Sequence, residues 1–144
     1  MLNVVIPGPA VPFARPRFGA HGGFNETEYA AWKAMAARTI RLHCRKERIE
    51  AIPRQPLAAE ITLYRPRPVK APEGIAAADW RAGGAFPAIG RSDLDNHCKA
   101  ALDALVDSGI IADDRLIVHL VAWSYYTPAK VEPALWLAIM AVNR

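Results

Sequence analysis

Two acidic motifs lie close together in the second half of the sequence, and their residue types suit metal-dependent chemistry. The first reads Asp-Leu-Asp-Asn from Asp93 to Asn96, and Lys99 follows three residues later. The second is the pair Asp113-Asp114, which comes after one glycine-containing loop. Hard cations such as Mg²⁺ prefer carboxylate oxygens as ligands, and a nearby ammonium group can stabilise charge on phosphate oxygens. The pattern therefore indicates hydrolysis of a phosphate ester.

Helical geometry shows how these residues could meet. A helix that starts near Asp93 carries Asp95, Lys99 and Asp103 on one side, and the first turn of a helix favours anions. The helix advances on the order of 18 Å after Asp95, and the following seven residue steps can cover roughly 23 Å, so Asp114 can just return to the helix start. Three carboxylates at one point would repel each other, and a bound Mg²⁺ or Mn²⁺ would remove that repulsion.

The same residues also have an ordinary structural interpretation. Ser92 with Asp95 resembles a capping box, and aspartates are common at helix starts. Lys99 would then be an i, i+4 partner of Asp95, worth about a few tenths of a kcal/mol. Asp113-Asp114 would be a turn. Each motif by itself favours this interpretation, but their ordered combination favours a catalytic site.

Other metal sites fit the sequence poorly. An EF-hand loop needs an acid or amide at the position of His97 and a glycine at the position of Cys98. Zinc binding by His43-Cys44 or His97-Cys98 is disfavoured because adjacent residues on a helix point about 100° apart. We expect both cysteines to be reduced core residues rather than a disulfide.

The remaining sequence predicts one α+β domain over residues 1–144. We expect a mixed sheet of about four strands with two main helices packed on it. The predicted strands are Leu2–Ile6, Leu57–Tyr64, Leu116–Trp123 and Ala134–Val142, and the predicted helices are about Glu26–Arg48 and Asp93–Asp107. A stripe on the first helix should face the core: Tyr29, Trp32, Ala36, Ile40 and Cys44. The basic, proline-rich stretch 65–90 is predicted to be a long irregular loop.

The net charge of +4 is unevenly distributed along the chain. Residues 1–91 carry 14 Lys and Arg against 7 Asp and Glu, and residues 92–144 carry 4 against 7, giving +7 and −3. A basic half beside an acidic cluster suggests a polyanion that the first half holds, although charge alone favours an ordinary solvated surface. Because no apolar run could span a bilayer and no signal-peptide pattern is present, we expect a cytoplasmic protein without membrane contact.

The sequence resembles the RusA family of Holliday junction resolvases, small endonucleases of bacteria and their prophages. The resemblance rests on the blocks Pro7–Pro9 and Arg15–Arg17, on Asp93–Asn96, Lys99–Ala100 and Asp103–Leu105, and on Gly109 and Asp113–Asp114 before an apolar strand. Where many members have basic residues, this chain has Ser92 and the stretch Trp123-Ser124-Tyr125.

The resemblance implies a Mg²⁺-dependent homodimer that nicks opposite strands of a four-way junction symmetrically, without a small organic cofactor. By position, Asp93, Asp95 and Asp114 match the metal-binding catalytic aspartates, and Lys99 matches the catalytic lysine. We expect DNA contacts from basic residues on the first half of the chain: Arg15, Arg17, Arg65, Arg67, Arg81 and Arg91. Two alternatives stay open, a non-catalytic junction-binding protein that keeps the fold and a nuclease acting on flaps or forks.

Overall fold

The computed structural model describes residues 1–14, 23–89 and 93–142, and for residues 23–26 the backbone alone. The elements are β1 (Leu2–Pro7), α1 (Gly23–Glu47), β2 (Leu57–Arg65), α2 (Ala77–Ala82), β3 (Phe86–Pro87), α3 (Leu94–Asp107), a 3₁₀ turn (Asp114–Leu116), β4 (Ile117–Tyr126) and β5 (Ala134–Ala141). The four longer strands and two long helices confirm the predicted elements, with ends that differ by at most three residues.

The strands form one mixed sheet in the order β1-β5-β2-β4-β3. Strand β5 pairs antiparallel with β1 and β2, β2 pairs parallel with β4, and β3 pairs antiparallel with β4. The predicted α+β class and mixed sheet are confirmed. The sheet has five strands instead of about four, because β3 is only two residues long and leaves no alternating pattern in the sequence.

The core lies between one face of the sheet and the two long helices. In β1, β2 and β5 every second residue is buried, as expected of strands that have one face covered. All five residues of the stripe predicted on α1 are buried, and α3 contributes Cys98, Ala101 and Leu105. Both cysteines are free and buried, as predicted. The opposite face of the sheet carries no helix in the described part of the chain.

The stretch 65–90 is more ordered than the predicted irregular loop, because it contains α2 and β3. Its centre is Trp80, which is 5% exposed. The guanidinium group of Arg67 lies 3.6 Å from the centre of the Trp80 ring and donates hydrogen bonds to three carbonyl oxygens, those of Trp80, Gly84 and Thr127. An arginine that satisfies three carbonyls fixes the path of a segment that has few backbone hydrogen bonds of its own.

Aromatic packing ties the same segment to the sheet. Trp80 contacts the rings of Phe86 and Tyr126 at centroid distances of 5.7 and 5.6 Å. The Tyr126 hydroxyl donates a hydrogen bond of 2.8 Å to the carbonyl oxygen of Ile89. The chain is therefore anchored on β4 four residues before Asp93.

The sequence of β4 up to Trp123 is apolar on both faces apart from His119, which predicts a strand inside the sheet, but the structure leaves most of β4 at least partly exposed. Strand β3 pairs only with Tyr125 and Tyr126, so most of β4 is an edge of the sheet. Its apolar residues Val118, Leu120 and Trp123 are 62%, 44% and 52% exposed. The error arose because an apolar strand has the same sequence pattern whether or not another element covers it.

No helix within the described residues is long and apolar enough to span a bilayer.

Candidate active site

The two aspartates of the first acidic motif lie at the start of α3. Asp93 occupies the N-cap position, but its side chain makes no capping hydrogen bond. Asp95 lies in the first turn, where one carboxylate oxygen accepts a 2.9 Å hydrogen bond from the backbone N–H of Asn96. Both residues are exposed, and neither forms an ion pair with another described residue. The helix terminus tolerates them because its unpaired N–H groups carry partial positive charge.

His97 stabilises the start of α3 through a contact with the backbone of Asp93. It is only 3% exposed, and its Nδ1 lies 3.1 Å from the carbonyl oxygen of Asp93. Burial lowers the pKa of His97, so the ring is neutral near pH 7. The neutral ring can donate its Nδ1 proton to the Asp93 carbonyl, which holds that backbone in place.

Lys99 joins the two acidic motifs. Its ammonium nitrogen lies 2.9 Å from Oδ1 of Asp103, one turn further along α3, and 3.7 Å from Oδ2 of Asp114 in the 3₁₀ turn. The hydrogen bond to Asp103, and to a smaller extent the charge of Asp114, raises the pKa of Lys99. Lys99 therefore carries its positive charge at neutral pH between two carboxylates.

Two aromatic rings border this ion-pair network. The Tyr29 hydroxyl, on α1, donates a 2.6 Å hydrogen bond to Oδ2 of Asp103. The Phe13 ring meets Tyr29 edge-on at 5.4 Å and lies 5.5 Å from the Lys99 nitrogen. The Phe13 N–H also donates to the carbonyl oxygen of Asn96 at 3.0 Å. Residues before Arg15 therefore run across the start of α3, beside the candidate site.

A depression lies beside the candidate site, further along α3. Its lining residues are Lys33, Asp103, Val106, Asp107, Ala112, Asp113 and Asp114. Lys33 pairs with Asp107 at 3.2 Å, and Arg115 pairs with Asp113 at 2.6 Å. The hydrogen bonds from Arg115 hold the pKa of the Asp113 carboxyl well below its usual range. Each of these carboxylates already has a cationic partner.

The three predicted metal ligands have suitable donor atoms, but the described residues do not bring them together. The donor chemistry of Asp93, Asp95 and Asp114 suits a hard divalent cation. Within the described residues, however, no three His, Cys, Asp or Glu side chains are grouped so that they could hold a metal ion. The single chain brings Asp114 to Lys99 and Asp103, and it does not assemble the three predicted ligands around one point.

The predicted DNA-contacting arginines occupy different surroundings. Arg65 is the last residue of β2, and its positive charge adds to the effect of burial in lowering the pKa of His97 in the first turn of α3. Arg67 is occupied by the Trp80 segment described above, and Arg81 is exposed in the last turn of α2. Three further predicted contacts lie outside the described residues: Arg15, Arg17 and Arg91.

Comparison with known protein families gives a match over most of the chain. The family model described as endodeoxyribonuclease RusA matches residues 7–134 of the 144 residues. The chain belongs to the RusA family. At the level of the family it is therefore an endonuclease, a hydrolase of DNA phosphodiester bonds. A search of curated proteins found no match.

The sequence indicates no function for two residues of this site, Asp103 and Tyr29. Helical spacing predicts Asp103 on the same side as Lys99, within the family block. The stripe on α1 predicts Tyr29 in the core. Their 2.6 Å hydrogen bond spans 74 positions of the chain, so helical spacing could not indicate it. The available signal was an aspartate four residues after the predicted catalytic lysine.

Proposed function

We propose that this chain is a structure-selective endodeoxyribonuclease that resolves Holliday junctions by paired symmetric nicks. The main supporting observation is that the Lys99 nitrogen lies 3.7 Å from the carboxylate of Asp114. This contact brings together the two acidic motifs, one on α3 and one in the 3₁₀ turn. Membership of the RusA family supports a DNA phosphodiester bond as the target. The basic first half of the chain, at +7, supports binding of a DNA polyanion.

We also propose Mg²⁺ as the cofactor, with Asp93, Asp95 and Asp114 as its ligands and Mn²⁺ as a substitute. Bound metal would supply charge neutralisation at the phosphate and a more acidic water. The ligand set requires rearrangement, since Asp114 faces Lys99 in the single chain. The protein's own contributions are the Lys99 ammonium group for phosphate oxygens and the α3 N-terminus, which favours anions.

A four-way junction cleavage assay tests the proposed activity directly. Purified protein is incubated with an end-labelled synthetic junction in Mg²⁺, in Mn²⁺ or in EDTA, beside flap, fork and linear duplex substrates. We expect symmetric nicks in the junction only when metal is present. A band shift without product in either metal would favour a non-catalytic junction-binding protein. Faster cleavage of flaps or forks than of junctions would contradict the proposed substrate.

The homodimer expected from the resemblance is proposed to form through the helix-free face of the sheet. This face carries a row of neighbouring aromatic rings, Trp123, Tyr125, Tyr64 and Trp136, at centroid distances of 6.3, 6.0 and 5.9 Å. The two tryptophans are 52% and 54% exposed, and Val5 on the same face is 46% exposed. Exposed apolar patches of this kind mark protein interaction sites, and a second copy would present the same uncharged row.

Sedimentation velocity tests this interface. Trp136→Arg should shift the protein from dimer to monomer, because a charge would be buried on the two-fold contact. The matched control is Leu42→Arg on α1, where the side chain is 52% exposed and on the other side of the molecule. We expect the control to remain dimeric. A monomeric wild-type protein, or a Trp136→Arg variant that still dimerises, would refute the proposed contact.

A further inference from the structure

Asp103 lies between two side chains, one buried in the core and one exposed on the surface. One carboxylate oxygen accepts a 2.6 Å hydrogen bond from Tyr29, which is 8% exposed and belongs to the core. The other accepts a 2.9 Å hydrogen bond from the ammonium group of Lys99, the proposed catalytic lysine, whose side chain is 48% exposed. Asp103 thus links the hydroxyl of a buried tyrosine to the ammonium group of an exposed lysine.

A lysine with this exposure needs a restraint if it is to act at one point. Its four-carbon side chain has many rotamers, and an exposed ion pair alone restrains it weakly. Tyr29, on a separate helix, donates a 2.6 Å hydrogen bond that fixes the rotamer of the Asp103 carboxylate. Asp103 therefore restrains Lys99 more strongly than an exposed ion pair alone would. Tyr29 is itself held by the edge-on Phe13 ring at 5.4 Å.

Helix stabilisation does not account for the arrangement. An i, i+4 pair with the lysine before the acid is the weaker of the two orders on a helix, and such pairs contribute about a few tenths of a kcal/mol. Asp107, one turn further on, has its own partner from α1, Lys33 at 3.2 Å, without contact to Lys99. The two aspartates therefore offer a matched comparison on one helix face, and only Asp103 contacts Lys99.

We infer that Asp103 is a positioning residue, which the Tyr29 hydroxyl fixes and which in turn holds the Lys99 ammonium group facing Asp114. The inference rests on the proposed function for its catalytic consequence, since Lys99 would have to contact the reacting phosphate. Asp103 itself contacts neither DNA nor metal in this scheme. With Asp114 as a ligand of a bound cation, Asp103 would still retain Lys99 at the site.

A double-mutant cycle tests whether Asp103 acts through Lys99. Single-turnover cleavage of the four-way junction is compared for wild type, Asp103→Asn, Lys99→Met and the double variant. We expect Asp103→Asn to lower the cleavage rate about tenfold and to leave junction affinity within about twofold. In the Lys99→Met background the same change should have no further effect, within about twofold. Equal losses in both backgrounds would overturn the inference, because they would mean a role independent of Lys99.

Matched variants separate positioning from general damage. Asp107→Asn removes the neighbouring carboxylate and should keep wild-type cleavage. Tyr29→Phe removes the hydroxyl and keeps the ring, so it should lower the rate by about threefold, less than Asp103→Asn. Urea denaturation of each variant shows whether it is folded. A folded Asp103→Asn protein with full activity would contradict the inference.

A spectroscopic readout keeps the inference testable if the wild-type protein cleaves no junction. Lysine side-chain ¹⁵N–¹H NMR at low temperature detects ammonium groups whose protons exchange slowly because they are hydrogen-bonded. We expect one such signal, assigned to Lys99 by its loss in Lys99→Met, to disappear in Asp103→Asn and to persist in Asp107→Asn. If the wild-type signal is absent, or unchanged in Asp103→Asn, the positioning role is refuted whatever the cleavage assay gives.

Discussion

The first turn of α3 and its middle carry the same residue type in opposite electrostatic situations. At the first turn, Asp93 and Asp95 have no cationic partner among the described residues. Two turns later, Asp103 shares the Lys99 ammonium group with Asp114. The partial positive charge of a helix terminus makes unpaired carboxylates tolerable, and it fades within one turn. Among the described residues, the first turn therefore retains negative charge that a metal could use, whereas Lys99 offsets one of the two negative charges of Asp103 and Asp114.

This difference predicts that the two ends of the proposed site respond differently to an added cation. Carboxylates without partners can bind an added cation at no cost in broken ion pairs. Asp114 would lose its ion pair with Lys99 if it became a ligand of that cation. Variants at the first turn and at Lys99 test this division, and variants at Tyr29 and Lys99 compare the two partners of Asp103.

The largest effect is expected at the first turn. Asp95→Asn should reduce junction cleavage about a hundredfold or more, since a neutral amide is a poor ligand and leaves transition-state charge unsupported. Junction binding should persist, because removing a negative charge does not weaken contact with DNA. Single-turnover kinetics and a band-shift titration measure the two properties. Asp107→Asn, at the far end of α3, is the control and should stay within about twofold of wild type.

Asp93→Asn should behave like Asp95→Asn if both carboxylates serve one cation. A variant at either position that cleaved the junction at the wild-type rate would remove that residue from the proposed ligands.

An intermediate effect is expected on metal affinity. Lys99→Met should tighten Mn²⁺ binding by about fivefold, because Asp114 would lose a competing positive charge at 3.7 Å, equivalent to about 1 kcal/mol in a water-like dielectric. Cleavage should fall at the same time. Isothermal titration calorimetry on the protein without DNA measures the affinity. Lys33→Met, whose partner Asp107 is not a proposed ligand, serves as the control.

Unchanged Mn²⁺ affinity in Lys99→Met would show that the lysine and the metal do not share Asp114. Metal binding would then have to occur without Asp114, and the assignment of that residue as a ligand would fail.

The smallest effects concern stability, and they compare the two partners of Asp103. Tyr29→Phe should lower the free energy of unfolding by about 1 kcal/mol, because it removes a hydrogen bond between α1 and α3 that is largely shielded from water. Lys99→Met should change it by about 0.5 kcal/mol or less, as expected of an exposed pair. Urea denaturation curves give both values. A larger loss in Lys99→Met than in Tyr29→Phe would show that the lysine mainly stabilises the fold.

Sequence patterns predicted the long elements well and the short ones poorly. The stripe on α1 and the four longer strands follow periods that persist over many residues, so the physical signal accumulates. The helix α2 has six residues and β3 has two, inside a stretch with four prolines. Their formation depends on Trp80, with its stacked Arg67, and that contact joins parts of the chain 13 positions apart.

The sequence predicts which residues form the candidate site, and that assignment stays a prediction, whereas the contacts among them are seen only in the structure. The sequence points to Lys99 and the aspartates of both motifs because their ordered combination favours a catalytic site, although each motif alone is ordinary. It did not indicate that Lys99 would lie between Asp103 and Asp114, or that Tyr29 would reach Asp103 from another helix. Both contacts depend on how α1, α3 and the 3₁₀ turn pack, which local spacing does not encode.

The sequence alone therefore determined the chemical inventory: the family, the mixed sheet with two long helices, and an acidic motif with one lysine. Tertiary packing decided which of those groups contact each other, since α1 and the 3₁₀ turn bring Tyr29 and Asp114 to the Lys99–Asp103 pair, whereas no described cation pairs with the first turn of α3. The reason is physical. Periodicity and residue type act over a few neighbouring positions, whereas the energy of an ion pair depends on distances set by elements far apart in the chain.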